Sequence, residues 1–524
     1  MTDSQQALTP DAHRDMARRL QDSARFPHPV STVTTVETHI STLLLTEDYA
    51  YKLKKPLDLG FLDFTTLEQR RHACDEELRI NRRLAPAIYL QRIAIRGTPE
   101  DPAIDGEGPL LDWAVQMRRF DDSRLFDRLL EHHQLTADEI EDVARQLAAF
   151  HDDVAVAGED TEWGTPAAVA GPARDNLVAL RQQLGTDPRI QRLEDWTEDR
   201  LHQLEPVFCR RRLDGRIREC HGDLHLGNIV DVNGRPVIFD GIEFAPELRW
   251  IDVMNEIAFL GMDLRSRQRP DLAARFLSRY LEETGDYDGV TLLPFYRAYR
   301  ALVRAKISGL RADDADADEA SREQARRAQD VYIAAAEGEM QPATPRLVLM
   351  HGLSGSGKST AAQAVVERLG AIRLRSDVER KRLAGLDARS RTGAGVGEGL
   401  YGADLSARTY QRLETLAGEI LETGTSVVVD AASLRQEERE SFRHLAAGAG
   451  VAFTLVVCEA AEDVLRERIS RRQKAGTDPS DADLTVLEHQ LQTRDVPGSE
   501  EQNHTLVVDT AADPDFHALE RIAP

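Results

Sequence analysis

Residues 351–360 read HGLSGSGKST. From Gly352 the run fits G-x-x-x-x-G-K-[ST], closing on Gly357, Lys358 and Ser359. The pattern carries meaning only between a strand and a helix, and both flanks are present. Apolar LVLM precedes it, and AAQAVVERL follows with helical spacing. Glycines let backbone N–H groups turn inward around an anion, and a helix N-terminus adds its dipole. A glycine-rich turn without chemical consequence is the alternative, and the paired flanks weigh against it.

From Arg346 onward strands and helices alternate: RLVLMHG, AIRLRSD, TSVVVDAA, AFTLVVCEA and HTLVVDTA, with helical stretches between them. That alternation implies a doubly wound parallel sheet over 346–524, a usual domain size. The whole chain has 524 residues, too many for one core, so two to four domains are expected. We divide it into a helical N-terminal extension (1–30), a first domain (31–311), an acidic, alanine-rich helical linker (312–345) and the C-terminal domain (346–524). In the first domain a β-hairpin is expected over 31–60, turning at Thr46-Glu47-Asp48, then a helix over about 65–84. Helical patterns dominate from about 136 to 299, broken by a strand–loop–strand region at 217–244. Strands first and helices second suggest a bilobal α+β unit. The linker reads as a solvated helix.

In the phosphate turn, backbone and side chains of Gly352, Leu353, Ser354, Gly355, Ser356, Gly357, Lys358, Ser359 and Thr360 would surround ATP. Lys358 would hold the β- and γ-phosphates, and the Ser359 hydroxyl would ligate Mg²⁺. The C-terminal domain resembles the P-loop kinases that include zeta toxins, gluconate kinases and polynucleotide kinases. The resemblance implies Asp377, in LRSDVERKRL, as the carboxylate that accepts the acceptor hydroxyl's proton. A plain helix N-cap is the other reading of Asp377. It implies Asp430, closing TSVVVDAA, in the Mg²⁺ shell, and a lid from arginines 466, 468, 471 and 472 over the phosphoryl group. Arg468 and Arg472 are one helical turn apart and are assigned to ATP. Arg380 and Arg382 either grip the acceptor or form a solvated face. The glycine-rich run 391–402 is expected to be an acceptor-side loop.

A second constellation lies at 219–230, ECHGDLHLGNIV. On a strand His221, Asp223 and His225 would share a face and could converge on a metal. Gly222 and Gly227 argue against a continuous strand. The better template is H-x-D-x-x-x-x-N, which puts Asp223 and Asn228 at the spacing of a kinase catalytic base and metal-binding asparagine. VIFDGIEF follows, with Asp240 closing a short apolar strand. Lysine is scarce, 7 residues against 59 arginines, yet Lys52, Lys54 and Lys55 cluster in AYKLKK. Glu77, in CDEELRINRRL, is the helical carboxylate that such a lysine needs.

These residues resemble the aminoglycoside phosphotransferase family, which has a protein-kinase-like fold, over most of 31–310. The resemblance implies Asp223 as catalytic base, Asn228 and Asp240 as Mg²⁺ ligands, and Lys52 on the nucleotide phosphates, paired with Glu77. Lys54 shares a strand face with Lys52, and the choice between them stays open. Glu243 is a candidate to assist the metal, and Asp252 in LRWIDV to hold the catalytic loop. His221 is read as a loop-shaping residue and His225 as structural. The whole chain is similar to bacterial proteins described as an aminoglycoside phosphotransferase-like domain fused to a P-loop kinase.

The net charge of −24 disfavours nonspecific nucleic-acid binding. Four cysteines without C-x-x-C spacing indicate neither a disulfide framework nor a thiolate zinc site. No apolar run approaches membrane-spanning length, and the polar N-terminus lacks a signal-peptide core, so the cytoplasm is expected. The function expected is ATP-dependent phosphotransfer at two sites to hydroxyls of small molecules, a sugar or amino sugar for the first domain. One alternative makes one domain a nucleotide- or ligand-dependent regulator of the other. Another has the P-loop domain phosphorylating nucleic-acid ends.

Overall fold

A computed structural model describes residues 8–60, 62–314, 317–386, 402–475, 483–513 and 516–522. Of the glycine-rich run 391–402 only Gly402 is included, so the loop expected there lies outside the described residues. The chain forms two compact units, one of Met1–Asp142, Ala149–Asp175 and Leu201–Leu260, the other of Val143–Ala148, Asn176–Arg200 and Gly261–Pro524.

In the first unit the strands β1 (Thr34–Glu37), β2 (Ser41–Leu45), β3 (Tyr49–Lys54), β4 (Tyr89–Thr98), β5 (Asp101–Ile104) and β6 (Leu110–Arg118) form one sheet. Its order is β1-β2-β3-β6-β4-β5, with every neighbouring pair antiparallel. The expected hairpin is β2–β3, closed over residues 46–48. Thr46 Oγ1 accepts the Tyr49 N–H at 3.2 Å and donates to the Tyr49 carbonyl at 3.0 Å, which fixes the turn. β1 adds a third strand that the hairpin reading folded into one. The helix Leu67–Asn81 opens on a capping box, with Thr66 as N-cap and Gln69 three residues later. It buries Ala73, Cys74, Glu77 and Leu78.

Two short ribbons follow in the same unit. β7 (Ile217–Glu219) pairs with β10 (Trp250–Asp252), and β8 (Ile229–Asp231) pairs with β9 (Pro236–Ile238). Between their ends run the loops that carry Asp223, Asn228 and Asp240.

In the second unit β11 (Arg346–His351), β12 (Ile372–Arg375), β13 (Val427–Asp430), β14 (Ala452–Glu459) and β15 (Thr505–Asp509) form a parallel sheet of order β12-β13-β11-β14-β15. Parallel strands covered on both faces need continuous apolar runs, and VVVD and LVLMH supply them. Val348, Met350, Val365, Val366, Val428 and Val456 make the core, and Ala274 from the helix Pro270–Thr284 joins it. Placing β11 at the sheet's centre sets the phosphate turn at the carboxyl edge, where ligands of such sheets bind. The N-terminal region thus has the protein-kinase-like α+β fold, and the C-terminal region the P-loop α/β fold, that the sequence led us to expect.

The helix Glu319–Gly338 differs from its expectation. Rather than standing solvated, it buries Gln329, Tyr332, Ile333 and Ala336. Gln329 donates to Gln183 at 3.0 Å, and Arg304 of the helix Leu293–Ala312 lies over the Tyr332 ring. Its alanines permit close approach, while Glu319, Glu323 and Asp330 are exposed.

Candidate functional site

In the first unit β3 delivers two lysines to one face of the sheet, because residues two apart in a strand point the same way. Lys52 Nζ lies 2.8 Å from Glu77 Oε1 and 2.7 Å from Asp240 Oδ1. Lys54 Nζ lies 2.6 Å from Glu77 Oε2 and is also paired with Glu243. Glu77 and Lys54 are both wholly buried. Burial pulls the Lys52 ammonium down, but Asp240, Glu77 and Glu243 outweigh it and raise its pKa well above the usual lysine value. Burial likewise pushes Glu77 up, and the two ammonium groups override it, so its carboxylate stays ionised. Of the two lysines, Lys52 is the one bonded to Asp240, whereas Lys54 lies deeper with Glu243. Glu243 is therefore engaged in a buried ion pair with Lys54.

Asp223 and Asn228 come together. Asn228 Nδ2 donates to Asp223 Oδ2 at 3.0 Å and to the Asp223 carbonyl at 2.9 Å. His225 Nε2 is 3.5 Å from Asp223 Oδ2, and its Nδ1 accepts the Gly227 N–H at 3.1 Å, capping the short turn Leu226–Asn228. His221 Nε2 lies 2.8 Å from the Phe239 carbonyl, which can only accept, so this nitrogen carries the proton. Its Nδ1 then accepts the Asp223 N–H at 3.3 Å. Burial lowers the His221 pKa and keeps the ring neutral. Gly222 has φ +88°, and a Cβ there would stand 2.9 Å from the Leu248 carbonyl oxygen. Asp240 also has positive φ, +61°, with its N–H donated to Tyr89 Oη at 3.1 Å. Such a conformation in a non-glycine residue costs energy that the surroundings must offset, and it accumulates at functional sites.

The loop is held by a residue that the sequence reading missed. Glu256 Oε1 accepts the His221 N–H at 2.8 Å and the Gly222 N–H at 2.7 Å, while Oε2 lies 2.8 Å from His151 Nε2. Burial pushes its pKa up, but these partners outweigh burial and hold it below the ordinary glutamate value. Asp252, the residue expected to hold the loop, instead makes a two-pronged pair with Arg211 at 2.7 and 2.9 Å and accepts the Met254 N–H at 2.8 Å. The reason is its position at the end of β10, where it caps the helix Val253–Ser266, while Glu256 is one turn further in. A lone acid within the apolar run VMNEIAFLGM was the available signal.

In the second unit the phosphate turn joins β11 to the helix Lys358–Leu369. Gly352, Gly355 and Gly357 have φ of +150°, +82° and +80°. A Cβ on Gly352 would lie 2.6 Å from the Cys458 carbonyl oxygen, and one on Gly355 2.8 Å from that of Leu465. Lys358 Nζ bridges the turn to the Leu353 carbonyl at 2.8 Å, and burial lowers its pKa. The Leu353 side chain packs with Leu465, Ile469 and Leu487, so only its backbone belongs to the turn's interior. Ser354 donates its N–H to Gln490 Oε1 at 2.8 Å.

A cavity of about 480 Å³ opens beside the turn. Ser354, Gly355, Gly357, Lys358, Ser359, Thr360, Asp377, Asp430, Arg468, Arg471 and Arg472 line it. Asp377 lies in the first turn of the helix Ser376–Leu383 and pairs with Arg380 at 2.8 Å; the N-cap is Arg375. Arg468 reaches back to Thr510, with Nη1 2.9 Å from Oγ1 and Nη2 3.1 Å from the carbonyl. Arg466 faces elsewhere, paired with Glu462 and Glu488. Arg382 is turned to the Glu282 carbonyl and Glu379. The polar lining residues Arg375, Tyr410, Gln490 and Thr510 were not foreseen. Tyr410, Gln490 and Thr510 are distant in sequence from the turn, and no local pattern marks any of the four.

Both sites offer the oxygen donors that suit a hard divalent cation. In the first unit Asn228 commits its Nδ2 to Asp223, which leaves its side-chain oxygen as a donor, and the Asp240 carboxylate offers another. In the second unit Asp430 Oδ2 is buried and receives no hydrogen bond, with Ser359 on the same cavity wall. A buried carboxylate oxygen without a hydrogen bond is costly unless a cation meets it; Arg375 Nε stands 3.7 Å away.

The AAA domain family matches residues 347–497. The uncharacterized proteins Rv2004c of Mycobacterium tuberculosis and Mb2027c of Mycobacterium bovis are each 32% identical to this chain over 457 residues, covering 86% of it and 89% of their own length. Among solved structures, an ethanolamine kinase from Plasmodium vivax is similar over 59% of this chain and 82% of its own, at 13% identity and TM-score 0.36. The amicoumacin kinase hAmiN covers 58% of this chain and 88% of its own, at 14% identity and TM-score 0.36. A gluconokinase from Sinorhizobium meliloti covers 34% and 95%, at 25% identity and TM-score 0.25.

Proposed function

This chain belongs to one family with the mycobacterial proteins Rv2004c and Mb2027c, it is an ATP-dependent kinase that uses a divalent metal, and we propose that it carries two separate phosphotransfer sites. Each moves the γ-phosphoryl group of ATP to a hydroxyl of a small molecule. The observation that carries this reading is Lys52, bonded at once to Glu77 and Asp240, in a chain that also holds a complete phosphate turn around Lys358.

In the first site Lys52 binds the nucleotide phosphates and Glu77 fixes its position. Asn228 and Asp240 hold the metal, and Asp223 takes the proton from the attacking hydroxyl. Asn228 presents Asp223 by its two bonds, and Glu256 fixes the loop from behind. A sugar or amino sugar is the acceptor class that the motifs HGDLHLGN and VIFDGIEF support through their resemblance to aminoglycoside phosphotransferases.

In the second site the inward N–H groups of the turn and Lys358 bind the β- and γ-phosphates. Ser359 and Asp430 hold the metal, Asp377 accepts the hydroxyl proton, and Arg468, Arg471 and Arg472 line the lid side. At both sites the ion supplies charge neutralisation on the phosphoryl oxygens. Positioning and charge suffice for this chemistry, and no covalent protein intermediate is required.

Asp223→Asn and Lys358→Ala separate the two sites. Each should abolish its own acceptor-dependent transfer and spare the other. If Asp223→Asn leaves all transfer intact, the first domain is a ligand-binding regulator instead.

A further inference from the structure

Asp240 follows β9 and stands in the left-handed region, at φ +61°. The two peptide groups that meet at its Cα are both fixed. The one before it carries the Phe239 carbonyl, which accepts from His221 Nε2 at 2.8 Å, and the Asp240 N–H, which donates to Tyr89 Oη at 3.1 Å. The one after it carries the Gly241 N–H, which donates to Asn81 Oδ1 at 2.7 Å. Because φ and ψ are the only soft torsions of a residue, two fixed peptide planes also fix the direction of its Cα–Cβ bond. The carboxylate so aimed meets Lys52 Nζ at 2.7 Å and is half-exposed. Other bonds bracket the segment: Phe239 donates its N–H to the Asn228 carbonyl, and Ile242 donates its own to the His221 carbonyl, both at 3.0 Å. Neither of these reaches the N–H groups of Asp240 and Gly241.

Asn81 closes the helix Leu67–Asn81 one turn after Glu77, so the two share a face. Its Nδ2 donates to the Glu77 carbonyl at 3.0 Å, which settles the orientation of the amide and leaves Oδ1 to Gly241. Asn81 is buried, and asparagine is a poor helix former, so neither helix propensity nor apolar packing accounts for it. Tyr89 opens β4 and is buried as well. The segment they hold is tightly seated. A Cβ on Gly241 would stand 3.0 Å from His221 Cδ2 and 3.2 Å from Ile80 Cγ2. One helix therefore reaches both charges of the pair, Lys52 through Glu77 and the backbone beside Asp240 through Asn81.

Positive φ is unfavourable for an aspartate, so Asp240 freed of either bond gains energy by relaxing to an ordinary conformation, which turns its carboxylate away. Groups that orient a metal ligand from behind in this way set the affinity of the site for its ion. We propose that Asn81 and Tyr89 are positioning residues of the first site, which hold the backbone on either side of Asp240 and so keep its carboxylate directed at the metal of Mg·ATP. This rests on the reading of Asp240 as a metal ligand. Asn81 and Tyr89 carry no charge and act on Asp240 through its backbone, so they govern metal affinity and leave metal-free nucleotide binding to Lys52.

The test is a Mg²⁺ titration of fluorescent ATP-analogue binding to the full chain in a Lys358→Ala background, which quietens the second site. Asp240→Asn in that background is the control for the metal reading and should raise the Mg²⁺ midpoint. Tyr89→Phe removes only the hydroxyl, and Asn81→Leu keeps the size of the side chain while removing both polar atoms. Each should raise the midpoint by about tenfold, the order of losing a group that orients a metal ligand. Affinity for the analogue without metal should stay at the parent value in both. Tyr89→Phe decides the matter should Asn81→Leu fail to fold. An unmoved midpoint in either folded variant, beside a raised one in Asp240→Asn, overturns the proposal and leaves the metal reading standing. Equal loss of affinity with and without metal means a merely structural role and overturns it too. If Asp240→Asn leaves the midpoint unmoved, the metal reading itself falls, and the proposal with it.

Discussion

Lys52 and Lys54 lie two residues apart on one strand, and Glu77 gives one carboxylate oxygen to each, at 2.8 and 2.6 Å. Their surroundings nevertheless separate their roles. Lys52 reaches Asp240, whereas Lys54 is sealed between Glu77 and Glu243. Lys52→Met should therefore abolish ATP binding at the first site with a smaller loss of stability than Lys54→Met, because it strands half of Glu77 but its other partner, Asp240, is half-exposed. Lys54→Met leaves Glu243 and half of Glu77 buried without their cation, which should cost about 3–5 kcal/mol. Urea unfolding of the two variants, read beside nucleotide binding, checks the contrast.

Glu256 holds the catalytic loop through the backbone N–H groups of His221 and Gly222. Glu256→Gln should lower kcat at the first site by about ten- to a hundredfold, the scale of a small misplacement of a base. The KM for ATP should barely move, because Lys52 and Asp240 are untouched. Steady-state kinetics with the first site's acceptor separate these two effects, and a raised KM with unchanged kcat would contradict the assignment.

The phosphate turn tolerates no side chain at Gly355, where φ is +82° and a Cβ would meet the Leu465 carbonyl oxygen at 2.8 Å. Gly355→Ala should weaken nucleotide binding at the second site by about tenfold or more, since the backbone conformation alone costs ~1–2 kcal/mol. Equilibrium binding measured in the Lys52→Met background reads this directly.

His351 closes β11, with its Nδ1 2.9 Å from the Ser433 carbonyl. Burial, and then the nearby Arg439 and Lys358, lower its pKa to about 4, against the Ser433 bond that raises it. The unfolded chain takes up this proton near pH 6.5 and the folded chain only near pH 4. Between those values the unfolded state carries the extra proton, so stability falls as pH drops through the window, by up to about 3 kcal/mol. Above pH 6.5 this contribution is constant. His351→Gln, which can still donate to the carbonyl, should flatten that part of the pH profile of unfolding.

How much of this was legible in the sequence depended on whether a feature is local. The phosphate turn was readable because glycine spacing, strand and helix all lie within some two dozen residues. Asp223, Asn228 and Asp240 were readable because one short stretch carries them in a fixed order. Lys52 and Lys54 could be named but not told apart, since alternation puts both on one face and only the partners across the fold distinguish them. Glu256 acts through tertiary contacts, and no nearby pattern announces it. The helix Glu319–Gly338 misled for the converse reason: its acidic composition describes the outer face and hides the stripe that packs.

The measurement that tests the account most directly is transfer of label from γ-labelled ATP to a metabolite extract, comparing the unaltered chain with Asp223→Asn and Lys358→Ala. Two active sites predict that each variant loses a different labelled product and keeps the other. Loss of the same products in both variants, or no loss with Asp223→Asn, would contradict the claim that the chain carries two independent phosphotransfer sites.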